Sequence, residues 1–128
     1  MKSQVVGEYE IGYECVRLVL RDGEGAEFEL LPGGGGISAI TIGCDDANWS
    51  HMVARLLHES FEFVSSRLGC RYYPSGDIAN NSAAYVFMLN HQQFADCCAK
   101  VADFASIALP DFQKAWRGRR KLRAQRRT

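Results

Sequence analysis

Between residues 8 and 21 the apolar side chains alternate: Ile11, Tyr13, Cys15 and Val19 fall on one face, Val16, Leu18 and Leu20 on the other. A period of two predicts an extended segment, partly covered on both faces towards its end. Asp22-Gly23-Glu24-Gly25 supplies the left-handed positions of a tight turn, and AEFELL resumes as the returning strand. Pro32 and four consecutive glycines predict a mobile loop, and ISAITIG, rich in β-branched residues, a third strand. Together these segments predict an antiparallel β-meander.

The period then changes. Asp45-Asp46-Ala47-Asn48 offers capping side chains ahead of a helix over about residues 49–68, which Gly69 ends. On a helical wheel Val53, Leu57, Phe61, Val64 and Leu68 form the core stripe, widened by Met52, Leu56 and Phe63. His51, His58 and Glu62 project from the opposite side, with Glu59 towards one edge. CRYYPSGDIANNS is an aromatic and then turn-rich connection, and AAYVFML reads as a short fourth strand. Asn90 opens a second helix, with Gln93 three residues on as its capping-box partner. Phe94, Cys97, Cys98, Val101, Phe104, Ala105 and Ala108 make its stripe. Pro110 is expected to break that helix, leaving residues 111–127 as a third, polar helix or frayed tail.

The predicted order is βββ-α-β-α: an α+β domain of about four antiparallel strands packed against two main helices. At 128 residues the chain has the length of one domain. It divides into a single α+β domain over residues 1–116 and a basic tail over 117–128. The formal net charge of zero conceals this division. The tail, RGRRKLRAQRRT, holds seven of the fifteen basic residues and no acid, which leaves an acidic body with eight basic against fifteen acidic groups. No segment has the apolar length to span a bilayer, so no membrane partner is expected, and no apolar h-region marks a signal peptide. Five cysteines without metal-knuckle spacing are expected to be reduced thiols in a cytosol.

The chemistry centres on LLHESFE, residues 56–62. HExxE differs by one letter from the HExxH of zinc hydrolases. His58 and Glu62, four apart, meet over one helical turn, and an imidazole nitrogen and a carboxylate oxygen are both good zinc ligands. Glu59 would be the general base of a metal enzyme. The third ligand would be His91, because His51 stands about 10 Å from His58 along the helix axis. Arg55–Glu59 and His58–Glu62 are equally the i,i+4 pairs of an ordinary solvated helix face. A second constellation is Arg71, Tyr72, Tyr73 and Asp77 with Asn80 and Asn81. Tyrosine stacks on a base, arginine pairs with phosphate, and Asn or Asp reads ring edges and ribose hydroxyls. The basic tail suits salt-sensitive contact with nucleic acid, or serves only solubility.

The segments HESFEF, LGCRYYPSGD, YVFMLNHQQF and LPDFQKAW resemble a group of small bacteriophage- and prophage-encoded proteins, over roughly residues 49–116. The resemblance implies a phage-type accessory protein in the host cytoplasm, with a counter-defence role. It assigns no catalytic residue. The reading that follows is of a homo-oligomeric binder that sequesters a nucleotide-like small molecule through Arg71, Tyr72, Tyr73, Asp77, Asn80 and Asn81 and needs no cofactor. Its alternatives are a metal-dependent hydrolase, with zinc on His58, Glu62 and His91, and an inhibitor that blocks a host protein.

Overall fold

The computed structural model describes residues 2–30, 37–72 and 85–126. It is an α+β fold: a four-stranded sheet covered by two helices, with a two-stranded ribbon at the side. The strands are β1 (Ser3–Ile11), β2 (Glu14–Arg21), β3 (Ala26–Glu29), β4 (Ser38–Gly43), β5 (Arg71–Tyr72) and β6 (Val86–Phe87); the helices are α1 (Trp49–Arg67) and α2 (His91–Arg126).

The first extended segment is two strands rather than one. Gly12, at a φ of +65°, lets the chain reverse, and β1 and β2 pair antiparallel from Ser3↔Arg21 to Ile11↔Glu14. The sheet is not a meander either. Its order is β1-β2-β4-β3, because β4 enters between β2 and β3, parallel to β2 and antiparallel to β3. Side-chain pattern explains the exchange. Ser38, Ile40 and Ile42 of β4 are buried, which suits a central strand, whereas AEFE of β3 alternates with exposed glutamates and takes the edge. The wide turn after β2 accommodates the inserted strand: Gly43 N–H donates to Gly25 O, Cys44 N–H to Arg21 O and Asp45 N–H to Gly23 O. A Cβ at Gly43 would lie 2.5 Å from Gly23 O, so only glycine fits there.

Both helix starts are as the sequence predicts. Asn48 accepts from His51 N–H at the head of α1, and Asn90 and Gln93 make a reciprocal capping box before α2. Gly69, at a φ of +75°, follows the end of α1. Three further expectations change. The fourth strand joins the β5–β6 ribbon rather than the main sheet. Pro110 lies inside α2, which runs unbroken for 36 residues and takes residues 117–126 of the tail into the same helix. The buried face of α1 is turned from the expected stripe: Met52, Leu56, Glu59, Ser60, Phe63, Val64 and Ser65 are buried, and Val53, Leu57, Phe61 and Leu68 only half so. The rotation is roughly a third of a turn at about 100° per residue.

The turned face follows from what covers the helix. α1 lies against β3 and β4 on one side and α2 on the other, so the deepest line falls between two partners. Phe63 meets Phe28 of β3 edge to face, and Trp49 packs on Phe112 and Trp116 of α2. Ser60 tolerates burial because its hydroxyl donates to Leu56 O at 2.6 Å. Val16, Leu18 and Leu20 of β2 complete the core beneath both helices.

Candidate metal centre

Rotation of α1 brings Glu59 inward. Its side chain is 7% exposed, whereas its neighbour His58 is 65% exposed and Glu62 20% exposed. The pair expected to neutralise it does not form: Arg55 donates from Nη1 to Gly43 O at 2.6 Å and ties α1 to the end of β4 instead. Among the described residues no hydrogen bond reaches the Glu59 carboxylate, and its nearest ionic neighbour is His58 Nε2 at 4.0 Å. Burial therefore pushes its carboxyl up to about 7, helped by the Glu62 charge and opposed by His58.

His58 Nε2 lies 3.4 Å from Glu62 Oε1, so the i,i+4 contact forms as the spacing predicts. One donor atom from each of His58, Glu59 and Glu62 falls within 4.8 Å of the others. Ligands on one tetrahedral ion with bonds of about 2.1 Å stand about 3.4 Å apart. The His58–Glu62 spacing already has that value, and Glu59 needs only a small side-chain adjustment to join. Three donors on little more than one turn would leave a fourth position open, as in zinc sites that take water or a ligand.

Tyr85, just before β6, donates its hydroxyl to Glu62 Oε1 at 3.2 Å. It orients that carboxylate as the outer neighbours of metal ligands do. Burial and the Glu62 charge raise the Tyr85 pKa, so the hydroxyl keeps its proton for this bond. The Arg71 guanidinium lies 5.3 Å from the Tyr85 ring centre and carries the polar region onto the ribbon. Glu27 of β3 adds a weak negative field at Glu59, but its own carboxylate is gripped by Arg21 at 3.0 and 2.7 Å.

Of the residues singled out by sequence, His58, Glu59 and Glu62 come together. His91 is the exposed first residue of α2 and is not one of this group. Arg71 and Tyr72 form β5 and are exposed. Tyr73, Asp77, Asn80 and Asn81 lie outside the described residues, as does the loop of Pro32 and its glycines. Sequence reasoning missed Tyr85, which carries no motif. It also placed Glu59 as a base rather than a third donor, although an acidic residue at the margin of an apolar arc was a visible signal. Comparison with protein-family models, with curated proteins and with solved structures gives no match.

Proposed function

We propose that this protein is a binding protein that holds a divalent transition-metal ion through His58, Glu59 and Glu62 and uses the open position to capture an anionic, nucleotide-like small molecule. The observation that supports it is the Glu59 side chain, 7% exposed, with no hydrogen-bond donor on its carboxylate among the described residues and two further donor atoms beside it. A carboxylate on a largely buried side chain, with no donor to it, costs stability, and a cation offsets the cost. One imidazole and two carboxylates suit zinc, with manganese the oxygen-preferring competitor.

Geometry favours binding over turnover. If Glu59 is a ligand, it is no longer the base a hydrolase needs, and Glu27 is occupied by Arg21. The sequestering, counter-defence role implied by the resemblance belongs to this proposal, with Arg71 and Tyr72 on the neighbouring ribbon as contacts for phosphate and base.

Calorimetric titration of chelator-stripped protein with Zn²⁺ and Mn²⁺ tests it. One equivalent of Zn²⁺ should bind, with affinity falling at least about tenfold in His58→Ala and in Glu59→Gln. A nucleotide panel should raise Tm only in the metal-loaded protein. Failure of either ion to bind more tightly to the natural sequence than to Glu59→Gln would remove the metal centre. Nucleotide binding that survives chelation would move the ligand site wholly to the ribbon.

A further inference from the structure

The second unusual feature is the C-terminal half of α2, which contributes no residue to the candidate metal centre. After Asp111, α2 contains Lys114, Arg117, Arg119, Arg120, Lys121, Arg123 and Arg126 and no further acid. Two of these are engaged with the body: Arg119 pairs with Asp22 at 2.5 Å, and Arg123 Nη2 lies 3.0 Å from Asp45 Oδ1. The Arg123 contact is ionic rather than a directed hydrogen bond, since that Asp45 oxygen has no aligned donor. These contacts fix the direction of the helix.

The remaining cations are arranged by helical geometry. At about 100° per residue, Lys114, Arg117, Arg120 and Lys121 fall within one third of the helix circumference, on the flank turned from Asp22 and Asp45. All four are exposed, and none is ion-paired among the described residues. We infer that this flank of α2 docks the phosphate backbone of double-stranded DNA.

Three features select that partner. Protein interfaces bring an apolar centre, and helices that lie on lipid need an apolar face. Over residues 113–125 this flank offers only cations, Gln113 and Ala124, and the exposed Leu122 stands about 80° beyond Lys114, outside it. Single-strand binders stack bases on exposed aromatics. The aromatic residue here, Trp116, is 5% exposed, with the Arg120 guanidinium 4.8 Å from its ring centre. Readers of duplex RNA reach across a minor groove to 2′-hydroxyls, a span one helix flank does not provide. What remains is attraction to regularly spaced phosphates, driven by release of counterions and indifferent to sequence. The acidic body would be repelled by the same duplex and would turn the basic flank towards it.

The test is fluorescence anisotropy with a labelled 20-base-pair DNA duplex, in chelator, across a salt series. Four phosphate contacts predict a slope of log K against log salt of about −3 to −4. The triple variant Lys114→Gln, Arg117→Gln, Lys121→Gln keeps Arg119, Arg120 and Arg123 in their contacts. It should bind at least about tenfold more weakly at 0.1 M salt, with a slope near −1, and with unchanged circular dichroism and Tm. No binding at low salt, equal binding by the triple variant, or tighter binding to single-stranded DNA, duplex RNA or anionic vesicles would each overturn the inference.

Discussion

Glu59 is held between two protonation states near neutral pH, and this makes its stability effect readable. Its folded pKa is about 7 against an ordinary value of 4.5, so the folded chain keeps a proton there that the unfolded chain gives up. The stability linked to that proton is fully present below about pH 4.5 and is lost as pH rises through about 7. Glu59→Gln, a permanently neutral isostere, should therefore match the natural protein near pH 4.5 and exceed it at pH 8. The gain is up to roughly 3 kcal/mol in urea unfolding with chelator present. Equal stability of the two at pH 8 would show that the carboxylate is solvated. Added zinc should reverse the order at pH 8, since a coordinating carboxylate must be deprotonated and its binding releases the proton. His58 and Glu62 were legible in the sequence because a four-residue spacing fixes their meeting. The depth of Glu59 was not, because it depends on which side of an apolar arc the rest of the protein covers.

At the scale of the element, α1 shows how much a wheel leaves open. Its apolar residues spread over about half the circumference, from Met52 and Phe63 to Phe61, so its burial direction is set by neighbours rather than by its own sequence. Leu56 is fully buried and Leu57 half-buried. Leu56→Ala should cost about 2–5 kcal/mol, and Leu57→Ala less than half of that, by denaturant unfolding. The reverse ranking would restore the stripe expected from sequence and expel Glu59 from the interior. Pro110 shows a local rule overruled in the same way. Its ring deprives Ser106 O of an amide donor, but both residues face solvent, where water replaces the bond. Buried Ala108 and Phe112 hold the helix on either side. Tyr9 of β1 donates its hydroxyl to Asp111 at 2.8 Å immediately beyond the proline.

For the whole molecule the question is whether residues 117–128 belong to the fold. They carry no apolar stripe, and those described hold to the body through Arg119–Asp22, Arg123–Asp45 and the cover of Arg120 on Trp116. Surface ion pairs contribute about 0–1 kcal/mol each. Truncation after Trp116 should lower Tm by no more than roughly 5 °C and leave the candidate metal centre intact. Loss of cooperative unfolding in the truncated chain would make the basic segment part of the core. Among the described residues no helix is long and apolar enough to cross a membrane.

Local chemistry determined the α+β class, the capped starts of both helices, the glycine after α1, and the i,i+4 meeting of His58 with Glu62. Each depends on residues within a few positions of one another, whose geometry the backbone fixes. Segregation of the basic residues is likewise a property of the chain itself. Tertiary structure alone decided that β4 would pass between β2 and β3, that α1 would turn its Glu59 edge inward, and that Tyr85 would reach Glu62. These outcomes depend on contacts between distant segments, where several arrangements satisfy the same local pattern and the burial of Ile40, Ile42 and Phe63 selects one. The candidate metal centre lies across that boundary. Helical spacing brings all three side chains together, and the folded protein adds the burial of Glu59.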